Sequence, residues 1–190
     1  MEHDASIPWK KIRSIGGRDL ILFQSRFDVY ENIRNNHRVK AVILQAPDWV
    51  NIVALTPQRE VVIVQQYRFG TQQMTSEIPA GIVEEDETPA QAARRELLEE
   101  TGYSSQDWSA MDYVEPNPAF LDNRCYFFLA RDAQKTHPAR PDAGESIRTL
   151  TMAEDELRQE INRGRLRHSL ALAALARVFD IWQVNANPQE

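Results

Sequence analysis

The chain is short of cysteine. Cys125 is the only one in 190 residues, so no internal disulfide can form and no cysteine-built metal cluster is available. It also lacks a long apolar run. The most hydrophobic later stretch, LALAALARVF at 170–179, contains Arg177 and is too short to span a bilayer. The opening residues, MEHDASIPWKK, hold neither an apolar stretch nor a cleavage pattern, and no secretory signal is expected there. Excess positive charge is missing too. A net charge of −6 and a pI near 5.3 argue against a general nucleic-acid or anionic-membrane binder. No repeat or low-complexity tract interrupts the chain. The expected location is cytoplasmic, with no nucleic-acid and no membrane partner.

What is present is ordinary in bulk, 42% hydrophobic and 26% charged, so the information lies in residue order. The length suits one domain with a sizeable core and a small appended piece. LILFQSRFDVYE (20–31) and RVKAVILQA (38–46) have strand character, and Pro47-Asp48 marks a turn. This divides a β-rich segment, 1–46, from a main domain, 47–190. WVNIVALT (49–56) and EVVIVQQYRFG (60–70) are β-rich runs separated by TPQR, which predicts a hairpin. SEIPAGIVEE (76–85) is a short apolar segment broken by Pro79 and Gly81, and CYFFLARD (125–132) is a further strand. Thr88-Pro89-Ala90-Gln91 joins an N-cap threonine, a proline at the first helical position and a capping-box glutamine, which predicts a helix from Pro89 to Thr101. Thr151-Met152-Ala153-Glu154 has the same form and predicts a helix ending near Gly164. Ser169 precedes a third helix, with Leu172, Leu175, Val178, Phe179 and Trp182 spaced as a core stripe. Strands, a helix, strands and helices in that order specify a mixed α/β or α+β domain rather than a doubly wound repeat.

RRELLEETGY (94–103) carries an electrostatic oddity. Glu96, Glu99 and Glu100 lie in the last turns of the first helix, at the negative end of its macrodipole, where cations are favoured. At about 100° per residue, Glu100 lies about 40° to one side of Glu96 and Glu99 about 60° to the other, so the three share a face. Ala92 and Ala93 lie one turn earlier on that face, where small side chains leave room. Leu97 points about 100° away and can pack inward. Like charges at these spacings repel by a few tenths of a kcal/mol, about 0.2–0.5 per pair. A bound hard cation would reverse the sign, and clustered carboxylate oxygens suit Mg²⁺, Mn²⁺ or Ca²⁺. The bland alternative is a solvated acidic face with an Arg95–Glu99 pair.

Spacing back along the chain decides between the two. Gly81, a gap of five, Glu87, a gap of seven, then Arg95-Glu96-Leu97-x-Glu99-Glu100-x-Gly102-Tyr103 fills every fixed position of a known pattern. The stretch GIVEEDETPAQAARRELLEETGY resembles the Nudix box. EVVIVQQYRFG, SEIPAG and a proline, Pro118, about fifteen residues beyond the box resemble the branch that holds ADP-ribose pyrophosphatases and nucleoside diphosphate sugar hydrolases. The resemblance covers residues 49–150 well and the ends loosely.

The resemblance implies an α/β/α sandwich around a mixed sheet, with the N-terminal β segment appended. It implies a Mg²⁺-dependent (or Mn²⁺-dependent) pyrophosphohydrolase that converts ADP-ribose or a related nucleoside diphosphate sugar to a nucleoside monophosphate and a sugar phosphate. By position, Glu96 and Glu100 are the main metal ligands, Glu99 is a further ligand or base, and the Ala80 carbonyl is a ligand. Gly81, Glu87 and Arg95 hold the loop on the helix. Arg68 contacts the diphosphate, with a strand-end salt bridge as its alternative. Glu145, in the loop HPARPDAGESIRTL (137–150), is the candidate catalytic base, with Glu99, Glu100 and His137 as alternatives. Trp9 is a candidate base-stacking residue, with a structural role as its alternative. Members of the branch are usually homodimers whose N-terminal strands pack across the interface. Two other functions compete: hydrolysis of dinucleoside polyphosphates or other nucleotides, and a non-catalytic sensor of ADP-ribose or a nucleotide sugar.

Overall fold

The structure, a computed structural model, describes residues 8–141 and 146–182. It divides into two units. The first holds residues up to Pro47 together with Glu115–Arg124. Within it β1 (Trp9–Asp19), β2 (Gln24–Asn32) and β3 (Arg38–Gln45) form an antiparallel sheet in chain order. β1 is exposed throughout and shows no apolar alternation, which is why the sequence does not announce it. Residues 20–23, included in the strand expected over 20–31, instead form the turn into β2, with Ile21 at φ 73°. Segment 115–124 joins β3 through the Leu44 amide, which donates to the Phe120 carbonyl at 2.7 Å. Asp28 is the buried charge of this unit. Burial opposes its ionisation, but Lys11, Ser14 and Arg26 outweigh that and hold its carboxyl at about 2.

The second unit holds Asp48–Val114 and residues from Cys125 on. β4 (Trp49–Ala54) runs between β7 (Ala80–Ile82) and β10 (Cys125–Arg131), antiparallel to the first and parallel to the second; β9 (Asp107–Val114) completes this mixed sheet. β5 (Val61–Arg68) lies between β6 (Gln73–Glu77) and β12 (Arg148–Met152), antiparallel to both. β8 (Tyr103–Ser104) pairs with β11 (Gln134–Lys135). The helices are α1 (Pro89–Thr101), α2 (Glu154–Asn162) and α3 (Ser169–Leu175).

Alternation along the strands sorts side chains into two layers. Val53, Ile63 and Phe127 pack with Leu157 of α2 and with Ala171, Ala174 and Leu175 of α3. Val50, Ile52, Ala54, Val62, Phe128 and Ala130 pack with Ala92, Ala93 and Leu97 of α1. Helices therefore cover both faces of the strands, the expected α/β/α arrangement. Burial of Leu97 contributes roughly 1.5–3 kcal/mol. Cys125 lies inside as well, and burial pushes its thiol up to about 12, which leaves it unreactive.

Three expectations are corrected. The TPQR turn forms, with the Thr56 amide donating to the Glu60 carbonyl at 2.9 Å, but past the Leu55–Val61 bridge β4 and β5 diverge into different ladders. Both are buried on both faces over most of their length, and each takes two flanking strands from elsewhere in the chain. Thr151 is no helix cap. It pairs with Val62 inside β12, and α2 starts after Ala153 with Glu154, Asp155 and Glu156 in its first turn, where the macrodipole favours them. α3 is capped by His168 rather than opened after Ser169, and it stops at Leu175. Leu175 and Phe179 are buried, but Trp182 lies beyond the helix and is exposed.

Candidate active site

α1 places the box. The Thr88 hydroxyl accepts from the Gln91 amide at 3.3 Å and the Thr88 amide donates to the Gln91 side chain at 2.8 Å, so the capping box closes as its residues predict. Gly102 ends the helix at φ 74°, where its amide donates to the Leu98 carbonyl at 2.8 Å. A Cβ at Gly102 would also strike the His137 carbonyl oxygen, so both its conformation and its packing require glycine.

The three glutamates do not share one environment. Glu100 is 2% exposed, Glu96 is largely buried and the Glu99 side chain is 45% exposed. Ala92 and Ala93 leave no space for a ligand, contrary to expectation: both are fully buried and bring the helix close against the sheet. The layer that takes up Leu97 takes up Glu100 with it.

Two carboxylates converge on the Ala80–Gly81 dipeptide at the start of β7. Glu100 Oε2 accepts from the Ala80 amide at 3.0 Å. The Glu96 carboxylate occupies the space a Cβ on Gly81 would fill. Arg95 gathers the remaining charge. Its Nη2 donates to Glu87 Oε1 at 2.5 Å and to the Ile82 carbonyl at 2.9 Å, and its Nε to Glu87 Oε2 at 3.2 Å. Its Nη1 donates to Glu96 Oε1 at 2.8 Å and Glu99 Oε2 at 3.1 Å. The hydrogen bond from Arg95 draws the Glu87 carboxyl below the usual range, and Glu87 in turn raises the Arg95 pKa. Among the described residues, no three His, Cys, Asp or Glu side chains stand as a ready-made cation cage. Glu96 and Glu99 are turned towards Arg95, and Glu100 towards a backbone amide.

The donor set nonetheless fits a hard divalent cation. Glu96, Glu100 and the Ala80 carbonyl all offer oxygen, and two of the three converge on the dipeptide that carries the third.

Arg68, at the end of β5, is held in a fork. Its Nε donates to Glu77 Oε1 at 2.8 Å and its Nη2 to Glu77 Oε2 at 2.6 Å. Glu77 is 1% exposed, and its Oε1 also accepts from the Thr75 hydroxyl at 2.6 Å. His168 Nε2 lies 3.7 Å from Glu77 Oε2. Sequence reasoning misses Glu77, Thr75 and His168. The available signal is the lone acid of the apolar stretch SEIPAG, since an unpaired carboxylate has no place in a core.

Glu145 lies outside the described residues. The segments on either side both meet the box helix: the Arg140 amide donates to the Glu99 carbonyl at 2.7 Å and the Thr149 hydroxyl to the Glu100 carbonyl at 3.3 Å. His137 is exposed, with Nδ1 2.9 Å from the Thr136 hydroxyl. Trp9 opens β1 in the first unit, opposite Asn32 and 36% exposed. No helix among the described residues is long and apolar enough to cross a membrane.

The NUDIX domain matches residues 47–173. The chain belongs to the NUDIX hydrolase family, whose members generally use divalent metal ions. It is 31% identical over 142 residues to the methanol dehydrogenase activator of Bacillus methanolicus, spanning 74% of this chain and 77% of that one. It is 31% identical over 126 residues to the ADP-ribose pyrophosphatase of Bacillus subtilis (strain 168), spanning 65% of this chain and 68% of that one. A solved crystal structure of an ADP compounds hydrolase matches with a TM-score of 0.78 over 90% of this chain and 92% of that one. Its identity is 18%, so it speaks for the fold alone.

Proposed function

We propose that this protein is a Mg²⁺-dependent pyrophosphohydrolase that cleaves ADP-ribose or a related nucleoside diphosphate sugar to a nucleoside monophosphate and a sugar phosphate. The observation that carries the reading is the convergence of Glu96 and Glu100 on Ala80–Gly81. The similarity to an ADP-ribose pyrophosphatase supports the substrate class.

Glu96, Glu100 and the Ala80 carbonyl would hold the cation, with Glu99 as a further ligand. Bound there, Mg²⁺ (or Mn²⁺) supplies charge neutralisation of the diphosphate and a lowered pKa for its water. Arg95 keeps Glu96 and Glu99 in place and ties the loop to the helix through Glu87. Gly81 leaves the room that the Glu96 carboxylate needs. Arg68 contributes a guanidinium to the diphosphate. Water attacks one phosphorus, the bridging P–O bond breaks, and a carboxylate takes the proton. Glu145 is the favoured base, supported by the bonds of Arg140 and Thr149 to the box helix, with Glu99 and Glu100 as the other candidates.

The enzyme acts as a cytoplasmic homodimer in this reading. The row Ile15–Phe27–Val42 crosses the N-terminal sheet with Ile15 and Val42 exposed, which supports an association surface there. Trp9 is the candidate for stacking on the base.

The test is formation of nucleoside monophosphate, resolved by chromatography, from ADP-ribose, GDP-mannose, UDP-glucose and diadenosine polyphosphates, with and without Mg²⁺. Mg²⁺-dependent turnover of ADP-ribose or a sugar conjugate is expected. Preference for the polyphosphates would replace this substrate class with another. A second reading, regulation of a partner enzyme, is favoured by the similarity to the methanol dehydrogenase activator of Bacillus methanolicus. Tight binding without turnover of any substrate would select it.

A further inference from the structure

The Arg68–Glu77 fork lies on the α1 side of its sheet. Thr149, Val64 and Glu77 stand directly opposite one another across β12, β5 and β6. Directly opposed residues share a face. Thr149 meets the Glu100 carbonyl, and Val62, two residues before Val64, packs against Ala92, Ala93 and Leu97. That face is therefore the one α1 covers, and Arg68, four residues beyond Val64, projects from it. Glu77 also leads through Ile78 and Pro79 directly to Ala80, whose amide meets Glu100.

Glu77 is a charge buried among strands. Burial alone would raise its pKa, yet Arg68, His168 and Thr75 outweigh burial and hold it ionised. Both of its oxygens accept from Arg68, and one also accepts from Thr75. The Arg68 side chain remains 41% exposed, so the guanidinium is gripped from within while part of it faces water. A flexible arginine recruited to a phosphate loses side-chain freedom on binding; one already clamped has lost it in advance.

We infer that Glu77 is a positioning residue: the buried carboxylate, itself fixed by Thr75, holds the Arg68 guanidinium in the orientation that meets the substrate diphosphate. The inference rests on the reading that Arg68 binds that diphosphate.

The test is a double-mutant cycle on the full chain with Arg68→Ala, Glu77→Gln and the pair, reading the Kd of ADP-ribose by calorimetry in chelator together with KM and kcat in Mg²⁺. Glu77→Gln weakens Kd and KM roughly ten-fold with kcat little changed, and adds nothing in the Arg68→Ala background. A merely structural role would lower kcat as well as raise Kd, or add in full to Arg68→Ala, and either result overturns the inference. If Arg68→Ala weakens binding and Glu77→Gln does not, positioning fails while the reading of Arg68 stands. If Arg68→Ala leaves Kd and KM unchanged, that reading fails and takes the inference with it. Should Glu77→Gln not fold, Thr75→Val loosens the same carboxylate and is held to the same outcomes.

Discussion

Glu100 reaches back twenty residues to Ala80: its Oε2 accepts from the Ala80 amide at 3.0 Å. The bond joins the buried end of α1 to the first residue of β7. It places a box carboxylate one peptide unit from the carbonyl assigned to the metal. The same contact shows how the glutamate can be changed without disturbing the backbone. A glutamine at 100 can still accept from Ala80 while losing its charge. Glu100→Gln is therefore expected to lower kcat by about a hundred-fold or more, with no loss of thermal stability in the metal-free protein. Calorimetric melting and steady-state turnover in Mg²⁺ measure the two halves. Near-wild-type activity would mean that Glu100 is not a metal ligand.

Gly81→Ala tests the neighbouring contact. The new Cβ would overlap the Glu96 carboxylate, which is the far end of a flexible side chain and can swing away. The fold is expected to survive and the cation site to open. Half-maximal activation should then require roughly ten-fold more Mg²⁺, read from activity against metal concentration.

Arg95→Met removes the cation that Glu87, Glu96 and Glu99 share. The methionine keeps part of the packing and none of the hydrogen bonds. A loss of about 1.5–3 kcal/mol in urea unfolding is expected without metal. Added Mg²⁺ should restore more stability to the variant than it adds to the parent, because the carboxylates left behind repel one another. Equal increments would show that Arg95 does not offset that repulsion.

The pH dependence of stability follows from His168 and Glu77. Burial holds the His168 pKa below its ordinary value; Glu77 opposes this and Arg68 assists it. The unfolded chain therefore takes up the proton first, and stability falls as the pH drops below about 6.5. Glu77 has a lowered carboxyl pKa, so its contribution is present above the ordinary glutamate value of 4.5 and is lost as pH falls through its folded value. His168→Gln should abolish the first loss and shrink the second, which Arg68 and Thr75 still sustain. Urea midpoints measured from about pH 8 down to about pH 2 separate them.

Local patterns in the sequence are decisive where structure is local. Thr88, Pro89, Gln91 and Gly102 specify both ends of α1, since caps act within a turn. The box spacing brings Glu87 to Arg95 and the glutamates to the same helix. Pairing between distant strands leaves no such trace. Nothing in WVNIVALT names β10 as its parallel partner, and Thr151 resembles a cap until β5 claims it. The Glu77 fork is hidden for the same reason: Arg68 and Glu77 meet only once β5 and β6 are paired. The layering of the glutamates escapes because helical angle gives direction and not depth.

The parallel ladder between β4 and β10 has a consequence for how the chain is made. Trp49 must wait for Cys125, and Ala54 for Ala130. On a ribosome, β4 emerges long before its central neighbour, with Val50, Ile52 and Val53 unshielded for that interval. Segment 115–124, which joins β3, emerges just ahead of β10. The first unit thus gains its last segment just before β4 gains its parallel neighbour, while β12, α2 and α3 are still to come, and the interval before them is where chaperone dependence and aggregation should concentrate.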